Sequence, residues 1–174
     1  EELRQASDFA KLEAQHGADL ARLVGLITGV PADDVTIDRD HHRVIASASP
    51  LPGAGLETYR MLEARAEAQA EGWTVSVVPP QSALPVIAFA DNVDTLDQAA
   101  SAAVATSIWA AKRWNMTALG VPGLPAGATP ERSNLSQRRA IAIASLLRTA
   151  GITPVPLPAA GQRFALTPGL GSTP

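Results

Sequence analysis

Two adjacent histidines near two aspartates are the residues whose types could hold a metal ion. His41 and His42 follow Asp38 and Asp40 in a short polar stretch, and imidazole and carboxylate groups are common zinc ligands. Adjacent strand residues point to opposite faces of a sheet, so both imidazoles could reach one ion only in a tight turn. No third ligand follows at a recognisable spacing. The pattern favours a solvated hairpin turn, and we predict no metal and no bound cofactor.

Sequence patterns that carry out covalent or hydrolytic chemistry are absent. The chain has no cysteine, and it contains no Gly-x-Ser-x-Gly elbow, no phosphate-binding loop and no His-Glu-x-x-His pair. Its carboxylates are scattered along predicted helix faces, without a pair at a spacing that suits acid–base catalysis. We therefore predict that the protein is not an enzyme.

Composition and charge narrow the kinds of partner. The 174 residues carry a net charge of -3 and no basic block, which disfavours nucleic acid. No stretch of about 18 apolar residues occurs, so no segment of this sequence is predicted to span a membrane. Apolar residues make up 46% of the chain but aromatic residues only 4%. This balance predicts a core of small side chains, with helices packed closely on sheets.

The run from Ser133 to Gly151 carries the most specific pattern, Leu-Ser-Gln-Arg-Arg-Ala at residues 135–140. It resembles the Leu-Ser-x-Arg-Arg-Ala helix of the OmpA-like family, periplasmic domains that hold outer-membrane and motor proteins to peptidoglycan. Residues 87–96 also match that family's Phe-to-Leu spacing between its first strand and first helix. The resemblance covers residues 84–157. It implies a βαβαβ domain in which Arg139 grips an acidic group of the peptidoglycan stem peptide.

The same resemblance places the family's second ligand group at a residue that cannot supply it. Aligned without gaps, the family's Gly-His-Thr-Asp falls on residues 121–124, so its aspartate is Leu124. The glycine that follows in the family is kept as Gly127, whereas the family's asparagine is Arg132. The cleft would hold arginines without a counter-charge and would prefer an anion to a zwitterionic ligand. Losing a buried ion pair to a ligand costs about 2–5 kcal/mol.

The resemblance thus implies five candidate residues for a peptidoglycan or anion cleft: Arg139, Arg138, Arg132, Leu124 and Gly127. Arg139 is either a ligand clamp or a helix residue paired with Glu131 or solvent. Arg138 is predicted to be a surface residue. Leu124, with prolines on both sides, marks either an apolar contact surface for a partner or a loop without a role.

The elements predicted for residues 1–80 follow the order αββαβ. Hydrophobic periodicity, alternation and Gly/Pro breaks predict a helix from Asp8 to Thr28, strands at 35–37 and 44–46, a helix from Leu56 to Gly72, and a strand at 73–77. The order of these elements and the length of the segment are similar to those of BON domains, small envelope modules that accompany OmpA-like domains. This likeness implies lipid binding as a further candidate activity.

The elements predicted for residues 81–166 follow the order βαβαβ. Strands are predicted at 85–89, 116–121 and 153–157, with 162–166 as a candidate fourth strand. One helix is predicted to begin at Thr95, as N-cap with Gln98 three residues on, and the next at Pro130, at the first helical position. Gly151 is predicted to cap the end of that helix, and residues 167–174 to form a loose tail.

These patterns predict a mixed α/β (α+β) protein of two small modules in the bacterial periplasm. Loss of the aspartate at Leu124 favours an interaction scaffold for an envelope protein partner. Retention of the arginine helix favours the alternative, true anchoring to peptidoglycan through the Arg139 cleft. Because the sequence begins abruptly inside a helical pattern, we expect a membrane helix or lipidated anchor upstream of Glu1.

Overall fold

The protein contains two compact units, residues Glu1–Pro80 and Gln81–Pro174. The computed structural model describes residues 19–26, 29–31, 34–48, 50, 55–70, 72–126, 133–159 and 163–168. Both units contain helices together with strands that form small sheets. The mixed α/β class predicted from the sequence is therefore confirmed.

Unit 1, residues 1–80, contains a three-stranded sheet with a helix packed on it. Its elements are the helical residues 19–26 (α1), β1 Val35–Asp38, β2 Arg43–Ser47, α2 Leu56–Gln69 and β3 Thr74–Val78. The strand order is β1-β2-β3, with β1 antiparallel and β3 parallel to β2. The α2 helix connects β2 to β3 along the chain, because two parallel strands need a long crossover connection. Of the predicted first helix, residues 8–18, 27 and 28 lie outside the described residues.

The core of unit 1 follows from the alternation of apolar and polar residues along its strands. Val44 and Ala46 of β2 and Val75 and Val77 of β3 are almost completely buried, whereas the residues between them are more exposed. Strand side chains alternate between the two faces of a sheet, so these four share one face. Helix α2 contacts β3 and contributes Tyr59 to the core.

Unit 2, residues 81–174, contains two helices and two small sheets among its described residues. Its elements are β4 Val86–Ala88, α3 Gln98–Arg113, β5 Ala118–Pro122, α4 Leu135–Thr149, β6 Thr153–Leu157, β7 Arg163–Ala165 and β8 Thr167–Pro168. The β5 strand pairs with β6 in parallel and with β8 antiparallel, while β4 pairs with β7 antiparallel. Segment 163–168 therefore pairs with β4 at its start and with β5 at its end.

Both helices of unit 2 begin later than the sequence patterns predict. Thr95 is not the N-cap of α3, because the Asp97 carboxylate accepts a hydrogen bond from the Ala100 amide at 2.7 Å. Pro130, the predicted first residue of α4, lies outside the described residues. Asn134 is extended and forms a capping box with Gln137, and the helix follows it. In each case a side chain closer to the helix satisfies the first free amides.

The C-terminal strand is longer than predicted. Residues 163–165 pair with β4, within the candidate strand 162–166, but Thr167–Pro168 also pair with β5. The prediction of a loose tail was therefore wrong for Thr167 and Pro168. Residues 169–174 lie outside the described residues. Gly120 explains the close approach of these strands: a Cβ there would collide with Leu157 and would lie 2.7 Å from Thr167 Oγ1.

Candidate functional site

Arg139, the predicted ligand clamp, lies on the buried face of α4. Its neighbours on that face are Ala140, Ile143, Ala144 and Leu147. Only 7% of the Arg139 surface is exposed. Charged residues are almost never this buried unless they are paired, so the position of Arg139 requires partners within the fold.

The partners of the Arg139 guanidinium are backbone carbonyl oxygens. Nε donates to the carbonyl of Val93 at 2.7 Å, and Nη2 donates to the carbonyl of Ala90 at 2.8 Å. The guanidinium carbon also lies 5.2 Å from the centre of the Phe89 ring, a distance at which a cation is attracted to an aromatic face. Phe89 itself packs edge-on against Phe164 at 5.5 Å. Arg139 thus connects α4 to the segment that follows β4.

The segment contacted by Arg139 is the β4–α3 loop, residues 89–97. Asn92 has a φ of 63°, in the left-handed region, which asparagine tolerates better than most residues. The Val93 amide donates back to the Ala90 carbonyl at 3.4 Å. This turn brings the carbonyls of Ala90 and Val93 to the same guanidinium, so the loop conformation and the two Arg139 bonds depend on each other.

Arg138 holds the same loop from outside. Its Nε lies 3.1 Å from the Asp94 carboxylate, and its Nη1 donates to the Ser133 carbonyl at 2.8 Å. The two charged side chains are 37% and 44% exposed. Arg138 is therefore only partly exposed, and it forms an ion pair that connects the start of α4 to the loop. The opposite charges of Arg138 and Asp94 were the only feature of the sequence that could have indicated this ion pair.

The residue in the family's aspartate position, Leu124, is buried. It is only 8% exposed, so of its two predicted roles the apolar contact surface is not found at this residue. It follows Gly123, whose φ of 75° turns the chain and whose amide donates to the Leu157 carbonyl at 2.8 Å. Gly127 and Arg132, the remaining candidates, lie outside the described residues.

The arrangement leaves one nitrogen of Arg139 for an external group. Nη1 makes no hydrogen bond with the described residues, and no buried side-chain donor among them lacks a partner. Nη1 is therefore the guanidinium nitrogen that could still donate to an anion. No carboxylate of the described residues forms an ion pair with Arg139. The site can supply a cation and hydrogen-bond donors, and the Asp94 carboxylate of the same loop is already paired with Arg138.

The histidine pair lies in the turn between β1 and β2. His41 Nδ1 is 2.9 Å from the Asp38 carboxylate, and this hydrogen bond lowers the pKa of Asp38. His42, with a φ of 49°, packs its ring 5.0 Å from Trp73. The two imidazoles thus have different partners. Within the ranges that the structure describes, no group of three His, Asp or Glu residues could hold a metal ion.

Comparison with known proteins gave no match: no protein-family model, no curated protein and no solved structure corresponds to the chain. In the described part of the chain, none of the helices combines the length and the apolar character needed to cross a bilayer.

Proposed function

We propose that this chain is a non-enzymatic scaffold of the bacterial cell envelope, located in the periplasm. Its second unit would be an OmpA-like domain with a degenerate peptidoglycan site that serves a protein partner. The observation that carries the proposal is the use of the Arg139 guanidinium within the fold, where it donates to the carbonyls of Ala90 and Val93.

Arg139 is poorly placed to act as a ligand clamp. A stem-peptide carboxylate that took Nε and Nη2 would have to displace both carbonyl bonds, and hydrogen bonds to charged groups are each worth about 1.5–3 kcal/mol. Displacement would also leave the carbonyls of Ala90 and Val93 without their donor. Ligand binding in the manner that the resemblance implies would therefore disrupt the β4–α3 loop.

The missing counter-charge supports the same proposal. The family's aspartate is replaced by Leu124, which is buried. Asp94, the acidic residue nearest to the arginines along the loop, is already paired with Arg138. Neither Leu124 nor Asp94 therefore supplies a free carboxylate for the ammonium group of a zwitterionic ligand.

Peptidoglycan anchoring through Arg139 is the alternative function. The observation that favours it is that Nη1 makes no hydrogen bond with the described residues, because this nitrogen could contact a cell-wall anion without breaking the two carbonyl bonds. Contact through a single nitrogen lacks the paired geometry of a bidentate arginine–carboxylate bond. It would therefore be weak and sensitive to salt.

Co-sedimentation of the purified chain with isolated peptidoglycan sacculi, at low and moderate salt, separates the two functions. The scaffold proposal predicts no binding, or binding that moderate salt removes, since exposed charges are screened over about 10 Å at 0.1 M ionic strength. Binding that persists at moderate salt would reject the scaffold proposal, and its loss in a folded Arg139→Lys protein would assign that binding to the Arg139 guanidinium. Lys112→Ala provides a matched control, because Lys112 is an exposed cation on a different helix.

A further inference from the structure

The backbone of β1 presents unused hydrogen-bonding groups along its outer edge. The Thr74 amide donates to the His42 carbonyl at 2.8 Å, and the Ala48 amide donates to the Val78 carbonyl at 2.9 Å. In a parallel pair, main-chain groups of alternate residues point toward the partner strand. These two bonds therefore direct the backbone groups of Val44 and of every second residue of β2 toward β3.

The remaining residues of β2 must bond to β1. Ile45 lies opposite Thr36, and Arg43 lies opposite Asp38, so these are the hydrogen-bonded pairs of the antiparallel ladder. The N–H and C=O groups of Val35 and Ile37 then point away from the sheet. No described residue bonds to those outward groups, and this edge offers two donors and two acceptors.

The side chains of β1 show that the core of unit 1 is incompletely covered at this edge. Val35 and Ile37 lie opposite Ala46 and Val44 and share their face of the sheet. Val44 and Ala46 have no exposed surface, but Val35 and Ile37 are only half-buried. An additional strand with apolar residues at alternate positions would cover them.

The outer edge of β3 is obstructed. Val77 directs its amide away from β2, and the Glu63 carboxylate of α2 accepts a hydrogen bond from that amide at 2.8 Å. Glu63 is itself buried. A carboxylate placed over an edge amide removes the donor that an added strand would need, which is a common form of edge protection.

The outer edge of β6 is obstructed in another way. Thr153 donates to the Thr117 carbonyl, and Leu157 accepts from the Gly123 amide, so alternate residues from Thr153 onward bond to β5. The residues between them are Pro154 and Pro156. Proline has no N–H, so this edge has no outward donor at either position. The β1 edge has neither form of protection.

Charges around β1 distinguish between its candidate occupants. Asp34 and Asp40 are exposed at the two ends of the strand, and Asp38 is partly exposed, with Arg39 as the only cation from 34 to 40. A second copy paired antiparallel about Thr36 would place Asp34 opposite Asp38, and like charges directly opposite are destabilising. A strand with basic flanks would meet opposite charges instead.

We propose that the outer edge of β1 binds an extended segment of a partner protein by strand addition. The segment carries apolar residues at alternate positions and Lys or Arg at both ends. Main-chain hydrogen bonds to Val35 and Ile37 hold it, and the aspartates at the ends of β1 select its flanks. This proposal concerns unit 1 and does not depend on Arg139 or on the proposed envelope function.

Two synthetic peptides test the proposal with the full chain. One is Lys-Lys-Val-Thr-Val-Thr-Val-Lys-Lys, and the other has glutamate in place of each lysine. Fluorescence anisotropy should show at least about tenfold tighter binding of the basic peptide, since charge complementarity selects partners. Amide NMR signals of Val35 and Ile37 should shift on its addition. Absence of binding, or equal binding of both peptides, would overturn the proposal.

Variants of β1 separate strand addition from simple charge attraction. Ile37→Pro removes one outward N–H and leaves the bonds of Thr36 to β2 in place, and it should weaken the basic peptide by about tenfold or more. Thr36→Ser, with its backbone directed inward, should bind like the parent chain. Asp34→Lys leaves the backbone unchanged and should reduce the preference for the basic peptide, because Asp38 and Asp40 remain at the other end; it tests the charge selection if Ile37→Pro fails to fold. Self-association of the chain that Ile37→Pro abolishes would show that a second copy, not a basic segment, occupies the edge.

Discussion

Arg139 donates a hydrogen bond from Nε to the carbonyl oxygen of Val93 at 2.7 Å, across 46 residues of sequence. A second bond from Nη2 to the Ala90 carbonyl fixes the other side of the same turn. A side chain that would be expected to face a ligand is thus part of the connection between α4 and the β4–α3 loop. This role predicts an effect on stability where a ligand clamp would affect only binding.

Replacing Arg139 with alanine should destabilise unit 2. The change removes two charge-assisted hydrogen bonds and leaves two carbonyls without their donor, for a cost of about 2–4 kcal/mol. In a domain of this size that corresponds to a fall in melting temperature of roughly 10–20 °C. Thermal unfolding followed by circular dichroism measures it. Arg139→Lys keeps the positive charge but loses the planar guanidinium group. Its melting temperature should therefore lie between those of the parent protein and Arg139→Ala.

Arg148→Ala is the matched control for Arg139→Ala. Arg148 lies in the last turn of the same helix and is exposed, so its loss should change stability by less than about 0.5 kcal/mol. Equal melting temperatures for Arg139→Ala and Arg148→Ala would show that the two carbonyl bonds contribute little.

The Arg138–Asp94 pair should contribute much less than Arg139. Both side chains are more than a third exposed, and exposed ion pairs are typically worth about 0.2–1 kcal/mol. A double-mutant cycle of Arg138→Ala and Asp94→Ala, measured by urea unfolding, should give a coupling energy in this range that decreases as salt is added. A coupling energy that does not respond to salt would mean that the pair is effectively buried.

Sequence patterns predicted those helices and strands that are determined by residues close together in the chain. Strand β3, predicted at 73–77, is found at Thr74–Val78, because alternating apolar residues have one face to bury. Gly151, predicted to end α4, has a φ of 83° just after the helix. Helix starts were less predictable, because several side chains near Asp97 and Asn134 could cap, and only geometry selects among them.

The partners of Arg139 could not be predicted from residue types. Every residue carries a backbone carbonyl, so nothing in the identities of Ala90 and Val93 distinguishes them as acceptors. Their position depends on the left-handed turn at Asn92, a property of the folded loop. The pattern in the α4 sequence therefore identified Arg139 as a candidate but did not indicate its contacts.

The stability of the protein should depend on pH through Asp38, which lies at the turn between β1 and β2. The hydrogen bond from His41 lowers the pKa of Asp38 below its ordinary value. A carboxyl group with a lowered pKa stabilises the fold above the pKa of the unfolded chain, and this contribution is lost as pH falls through the lowered value. A carbon-13 NMR titration should show the low pKa, and His41→Ala should raise it toward the ordinary value. An unchanged pKa in that variant would exclude His41 as the cause.

Placing an acid at the position that the resemblance aligns with the family's aspartate, through Leu124→Asp, should destabilise the protein without creating a peptidoglycan site. Leu124 is buried, so the variant places an unpaired charge in the core, at a cost of at least about 3 kcal/mol. Burial should raise the pKa of the new carboxyl, and the loss of stability should therefore be larger at neutral than at acidic pH. Leu124→Ala, which removes the side chain without adding a charge, should lose stability equally at both. Binding of a diaminopimelate-containing peptide by a folded Leu124→Asp protein would contradict this prediction, since it would show that an acid at this position can face a ligand and that the site lacks only its acid.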